Sequence, residues 1–344
     1  MAANIIKSKF WAYGSGTNNV KKFENAFCKY IESKECVAVS NGTAALHLAL
    51  SLFDIKNKEV LVPSLTFVSS VSSIVHNGGK PIFVDVESKT LCIDIIDLRK
   101  KISQRTGAIV MVDFAGIPSN ITEIKKIAKE YNVPIIEDAA HSTGTTYDSK
   151  KIGSHVDAVC FSFHPVKNLA MPSGGAICLN GKNAIKSKKI LNSLRWCGIE
   201  NRKGFDYDVG RLGWNYYMNE ISAAIGLIQL KKLDKANKIR KNISKRYFTE
   251  LKIENKMPYS DNYSYHFYWI RVKNRIKFMK KMSEKGIETG IHYNPVHLMT
   301  YYKNNTKLPI TEMICKEIVS IPTHPNLKEN EVDHIIKSIN SLTR

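Results

Sequence analysis

No apolar stretch in this chain approaches the roughly 18 to 20 residues that a membrane-spanning helix needs, so the sequence argues against one. Met1-Ala2-Ala3-Asn4-Ile5-Ile6-Lys7 lacks the apolar centre of a secretion signal, and the chain reads as cytoplasmic. C-x-x-C pairs are missing as well. The seven cysteines, Cys28, Cys36, Cys92, Cys160, Cys178, Cys197 and Cys315, lie scattered, which favours reduced thiols over a disulfide framework or a zinc site. No metal is expected. Internal repeats, low-complexity linkers and blocks of basic residues interleaved with aromatics are also absent. The last absence matters because the formal net charge is +20. A basic surface attracts phosphates, yet these lysines are spread along amphipathic helical patterns at 121–131 and 227–247. Nucleic acid is therefore not expected as a partner, while a cationic mouth for a small anion is.

What is present is a βαβ rhythm. Short apolar runs at 36–39, 59–62, 81–84, 108–112, 134–137, 158–161 and 175–179 alternate with helical patterns. Continuous apolar runs predict strands covered on both faces of a mostly parallel, seven-stranded α/β sheet. Function is then expected at the carboxyl ends of those strands. A long helical pattern from 218 to 251 is broken only by Gly226, and a smaller α+β region follows it. With 344 residues, the expected division is a large domain over 1–235 and a small C-terminal domain over 236–344.

Four segments after these strands carry chemistry. Ser40-Asn41-Gly42-Thr43 opens an apolar helix, where free amides and a glycine suit a phosphate; Asn41 or Thr43 as a plain helix cap is the competing reading. Pro63-Ser64-Leu65-Thr66-Phe67 brings an aromatic that either stacks on a flat heterocycle or joins the core. Ile135-Ile136-Glu137-Asp138-Ala139-Ala140-His141 ends an apolar strand in acids. Such acids need partners, and Asp138 reads either as the partner of a pyridinium nitrogen or as a cap. His141 follows within reach of a ring hydroxyl. Phe161-Ser162-Phe163-His164-Pro165-Val166-Lys167-Asn168-Leu169 then offers a phosphate-facing hydroxyl at Ser162 and an amine at Lys167. In so lysine-rich a chain a lysine is usually a solvated charge. Here the surroundings are apolar and small, and burial yields the neutral amine that attacks carbonyls. An acid and a lysine so placed are what pyridoxal phosphate chemistry requires: the lysine forms an imine, and the acid keeps the ring an electron acceptor.

Together with Pro81-Ile82-Phe83-Val84-Asp85-Val86, Gly286-Ile287, His292-Tyr293-Asn294-Pro295-Val296-His297 and Ile321-Pro322-Thr323-His324-Pro325, these segments resemble the DegT/DnrJ/EryC1/StrS family of nucleotide-sugar aminotransferases over nearly the whole chain. The resemblance implies the aspartate aminotransferase (type I) fold and pyridoxal 5'-phosphate as cofactor. It implies Lys167 as imine-forming and proton-moving residue, Asp138 at the pyridine nitrogen, His141 at the ring hydroxyl and Phe67 on one ring face. Gly42, Thr43 and Ser162 would hold the phosphate, joined by Asn215 from the second subunit of a homodimer. His292, Tyr293 and His297 would lie near the sugar nucleotide. The implied reaction moves the amino group of L-glutamate to a keto sugar nucleotide in amino-sugar biosynthesis, first among candidates an NDP-4-keto-6-deoxyhexose, with a 3-keto sugar nucleotide as alternative. A cofactor-binding regulator without turnover is the rival of another class. Relatives with histidine at the lysine position are dehydratases, and Lys167 speaks against that branch. Three positions depart from the family pattern: Ser173 where an acid is usual, Tyr217 where arginine is frequent, and Ser222 where glutamine is common. They bear on substrate contacts and the subunit interface.

Overall fold

Each apolar run becomes a strand of one seven-stranded sheet. The computed structural model describes residues 2–12 and 17–343. Its strands are β1 (Glu35–Val39), β2 (Glu59–Pro63), β3 (Lys80–Val84), β4 (Thr106–Val112), β5 (Ile135–Asp138), β6 (Ala158–Ser162) and β7 (Gly175–Leu179), in the spatial order β1-β7-β6-β5-β4-β2-β3. Strands β2 to β6 pair in parallel. Strand β7 runs antiparallel to both neighbours, β1 and β6. The reason is local: the chain between β6 and β7 contains no crossover helix, and only such a crossover returns a strand parallel to its predecessor.

Alternate residues of each strand enter different cores. Ile109 and Met111 pack with the helices Asn19–Ile31 and Ile121–Tyr131 on one face, whereas Ala108 and Val110 pack with α1 (Gly42–Leu50) on the other. This period of two, apolar on both sides, is why the strands read as unbroken hydrophobic runs. Helix α1 is buried from Ala44 to Leu50, which explains its almost wholly apolar sequence.

The long helical pattern forms α2 (Glu220–Glu250), started by Asn219, whose side chain accepts the Ser222 amide at 2.8 Å. Leu233 of α2 belongs to the core of the large sheet, whereas Ile243 and Tyr247 belong to a separate C-terminal core. That core surrounds the antiparallel pair Tyr268–Arg271 and Ile318–Ile321 and the helices Arg275–Glu284 and Glu329–Leu342. We propose the domain division within this passage, after residue 235. Among the described residues no helix is long and apolar enough to cross a membrane.

Candidate functional site

The carboxyl ends of β1, β2, β4, β5 and β6 converge on a cavity of about 440 Å³. At one end lies the start of α1. Asn41 is extended, and its Oδ1 accepts the Ala44 amide at 2.8 Å, so Asn41 does cap the helix. That cap leaves the amides of Gly42 and Thr43 without an acceptor among the described residues, facing the cavity. A Cβ on Gly42 would stand 2.7 Å from the Ser162 Cβ. Only glycine therefore lets the helix start touch the end of β6. The outcome is a concave set of amide and hydroxyl donors at a positive helix end, suited to a phosphate.

At the other end Asp138 closes β5, only 6% exposed. Ser70 Oγ donates to its Oδ2 at 2.6 Å and the Ala140 amide to its Oδ1 at 3.2 Å. Thr66, on the cavity wall, shares a 2.8 Å bond with the Ser70 hydroxyl. No helix begins after Asp138, so the capping reading fails. Burial pushes its carboxyl above the ordinary 3.8, opposed by the Ser70 and Ala140 bonds and by Lys167. An acid so desolvated gains most from a cationic N–H donor inside the cavity.

Lys167 sits on a turn closed by its own amide donating to the His164 carbonyl at 2.8 Å. Its amine reaches the cavity and has no hydrogen-bond or ion-pair partner among the described residues. Desolvation lowers its pKa to about 8, only partly offset by the charge of Asp138. At pH 7 about a tenth of it is neutral, against well under a thousandth for an ordinary lysine.

His141 accepts the Ala115 amide at Nδ1, 3.3 Å away, so its proton resides on Nε2, which donates to the Tyr293 hydroxyl at 3.0 Å. The Tyr293 hydrogen is then free to donate elsewhere. Burial holds His141 neutral, reinforced by Lys167 and His292. Its ring stacks on His266, with centroids 4.7 Å apart. His292 is fixed by a 2.7 Å bond between Nδ1 and Ser320 Oγ and by stacking on Phe267. Phe67, 54% exposed, stands at the cavity wall, its ring 6.0 Å from that of Tyr293.

Lys167, Asp138, His141, Gly42, Thr43, Phe67, Ser162, His292 and Tyr293 thus line one cavity. His297 does not. Val296 donates its amide to the Ser64 carbonyl at 3.0 Å, which draws the segment back against the end of β2. His297 is consequently fully buried, bonded through Nδ1 to Ser64 Oγ at 2.6 Å, with Nε2 3.5 Å from Glu312. Its expected place beside a sugar nucleotide is corrected to a buried position against Ser64 and Glu312, outside the cavity lining. Asn215 lies outside the cavity too, exposed on a segment pinned by Trp214 and Tyr216 to the carbonyls of Leu194 and Arg195 at 2.7 and 2.9 Å.

Of the three departures, Ser173 donates its hydroxyl to the Ser40 carbonyl, Tyr217 bridges to Val39, and Ser222 is buried at the start of α2. Sequence alone assigns no role to Thr66, although its segment is among those singled out, nor to Ser70 and His266. Ser70 falls in a serine-rich stretch without distinguishing pattern. His266 offered a signal, a polar residue within the apolar run 265–272. Among the described residues no group of three or more His, Cys, Asp or Glu side chains could hold a metal ion.

These residues fit pyridoxal phosphate. A phosphate would find acceptorless amides at α1, a pyridinium nitrogen would find the desolvated Asp138, and an aldehyde would find the unpartnered Lys167 amine. Comparison with known proteins agrees. Residues 1–340 match the DegT/DnrJ/EryC1/StrS aminotransferase family. An uncharacterized protein of Methanocaldococcus jannaschii, MJ1066, is 32% identical, with 98% of this chain and 93% of that protein aligned. The chain is similar to the putative sugar aminotransferase Spr1654 from Streptococcus pneumoniae in its PMP form, at TM-score 0.93 and 26% identity over 99% of this chain and 94% of the other. It is also similar to Helicobacter pylori PseC, an aminotransferase involved in the biosynthesis of pseudoaminic acid, at TM-score 0.92 and 26% identity over 99% and 95%.

Proposed function

The chain belongs to the DegT/DnrJ/EryC1/StrS aminotransferase family of pyridoxal phosphate enzymes, and from that premise we propose that it moves the amino group of L-glutamate to a keto sugar nucleotide. The observation that carries this reading is the depressed, unpartnered amine of Lys167 in one cavity with Asp138 and the free amides of Gly42 and Thr43. A regulator that only binds the cofactor would use the same neutral amine, so conversion of the bound cofactor by glutamate is what separates the two readings.

Gly42, Thr43 and Ser162 would hold the cofactor phosphate, with Asn215 of a second copy completing that grip in a homodimer. Phe67 would cover one face of the ring. Asp138 would keep the pyridine nitrogen protonated, with Ser70 and the Ala140 amide fixing its carboxylate. Pyridoxal phosphate, when bound, supplies an electron-accepting ring that stabilises negative charge on the carbon beside the reacting nitrogen. Lys167 Nζ removes the Cα proton of glutamate in the first half-reaction. In the second it delivers a proton to the sugar carbon that receives the amine, so one residue serves as base and then as acid. His141, neutral and already bonded to Tyr293, orients the tyrosine hydroxyl toward the ring oxygen or substrate. His292 and Tyr293 form the sugar side of the cavity.

An NDP-4-keto-6-deoxyhexose, yielding the 4-amino-4,6-dideoxy sugar, is the substrate we favour. The basic balance of the chain suits a diphosphate. The test is to incubate the protein with glutamate and a panel of 4-keto and 3-keto sugar nucleotides. Equal amounts of 2-oxoglutarate and a 4-amino sugar nucleotide are expected; amine appearing only at carbon 3 would replace this substrate by its 3-keto rival. Failure of glutamate alone to convert bound cofactor would overturn the transaminase reading.

The pKa of Lys167 gives a second expectation. Cofactor capture by the cofactor-free protein requires the neutral amine, so its rate should rise with pH and level off above about 8. A rate that keeps climbing toward pH 10.5, read by stopped-flow absorbance, would mean that the amine is not desolvated as described.

A further inference from the structure

Next to Lys167, Asn168 points away from the cavity into a buried polar junction. Both of its amide hydrogens are used: Nδ2 donates to Asn237 Oδ1 at 2.8 Å and to the Ser264 carbonyl at 2.9 Å. Asn237, on α2 and only 4% exposed, donates its own Nδ2 to the Thr143 carbonyl at 3.0 Å. Amide orientations are often ambiguous; here they are fixed at both ends. The carbonyls of Ser264 and Thr143 only accept, so Asn168 and Asn237 must each turn their nitrogen toward one of them. The Asn168 carbonyl oxygen is left buried and unpaired, a cost that marks the donor side as the one being used.

The two anchors of this pair adjoin residues of the site, and Asn237 ties them to α2. Thr143 lies on the loop that leaves β5 through Asp138 and His141. Ser264 donates its hydroxyl to the His141 carbonyl at 3.2 Å and stands two residues before His266, which stacks on His141. Asn237 occupies the stretch of α2 between Leu233 of the large-sheet core and Ile243 of the C-terminal core. The close fit is visible in Gly144: a Cβ there would stand 2.4 Å from Asn237 Nδ2. The turn bearing Lys167, the loop bearing Asp138 and His141, and the helix passing between the two cores therefore meet at two side chains.

We propose that Asn237, acting through Asn168, is a positioning residue that holds the Lys167 amine in register with Asp138 and makes that register depend on the junction between the two cores. The proposal rests on the reading of Lys167 as the cofactor lysine. Neither asparagine touches the reacting atoms. Without Asn237 the Asn168 side chain keeps only its tie to Ser264, and the amine loses a fixed distance to the acid that raises its pKa and to the ring it attacks.

The experiment is a double-mutant cycle on the full-length protein loaded with pyridoxal phosphate, using Asn237→Leu, Asn168→Ala and the pair together. Three quantities are read: the midpoint pH of the visible absorption of the lysine-bound cofactor, kcat and KM for glutamate, and the thermal midpoint of the cofactor-free protein. Each single variant is expected to shift the absorption midpoint by about half a pH unit or more and to lower kcat about tenfold with KM nearly unchanged. The double variant is expected to be no worse than the more severe single one. Singles that fold yet leave the absorption midpoint and kcat unaltered, or effects that multiply in the double variant, overturn the proposal. Should Asn237→Leu fail to fold, Asn168→Ala and Asn237→Asp carry the test. Asn237→Asp keeps the acceptor for Asn168 and loses the donor to Thr143, and an unshifted absorption midpoint in both refutes the positioning role. Lys167→Ala run alongside separates the two levels: if that variant keeps the lysine-type absorption, the reading of Lys167 fails; if it loses the absorption and the asparagine variants behave as wild type, only the present proposal fails.

Discussion

Lys167→Ala is expected to lose the visible absorption of lysine-bound cofactor, to resist reductive trapping, and to transaminate at least about ten-thousand-fold more slowly. That magnitude follows because the variant removes both the nucleophile and the acid–base group. The fold should not suffer. With a folded pKa of about 8 against an ordinary 10.5, the unfolded chain binds this proton more readily across that interval. Stability of the cofactor-free wild type therefore rises, from this group, as pH passes upward from about 8 to 10.5, and the penalty is fully present at neutral pH. Removing the amine removes the penalty, so the alanine variant should match or exceed the wild type in thermal midpoint at pH 7 and show a flatter pH dependence above 8. Calorimetry of the two cofactor-free proteins checks this, and single-turnover absorbance checks the chemistry. A well-folded variant with unchanged turnover would remove Lys167 from the mechanism altogether.

How far the sequence reveals this site depends on which forces position each residue. Residues set by local chain geometry were legible: Asp138 at the end of an apolar strand, Gly42 and Thr43 at a helix start, and Lys167 on the turn before β7. Strand edges fell within two residues of the apolar runs because alternate side chains enter two separate cores. The reversed direction of β7 was not legible, since a buried strand looks the same in either direction and only the missing crossover decides it. His297 shows the converse. Its motif runs on from His292 and Tyr293, yet one amide bond from Val296 to Ser64 turns it away from the cavity they line. Ser70 and Asn237 were invisible for another reason: their partners, Asp138 and Asn168, are 68 and 69 residues distant in the chain, and neither has a local pattern that anticipates the contact.

Asp138→Asn separates the cost of the empty acid from its use. Burial raises the Asp138 carboxyl above 3.8, so its ionised form is disfavoured in the cofactor-free fold. The penalty applies above the folded pKa and disappears as pH falls below 3.8. Asparagine keeps an oxygen for the Ser70 hydroxyl without the charge. The cofactor-free variant should accordingly lose little or no stability at pH 7, even with the Ala140 amide left to face a mismatched group. With pyridoxal phosphate present the order reverses. A carboxylate beside a protonated ring nitrogen recovers its desolvation in a charge-assisted bond, and asparagine does not hold that proton. The wild type should gain more thermal stability from saturating cofactor than the variant does, the difference reporting the weaker grip directly. Turnover should fall further than binding, about a hundred- to ten-thousand-fold, because a neutral ring accepts electrons poorly just when Lys167 withdraws the Cα proton. A primary deuterium isotope effect on the glutamate Cα hydrogen, larger in Asp138→Asn than in wild type, would locate the loss at that step. An unchanged isotope effect with weakened cofactor binding would assign Asp138 to retention alone.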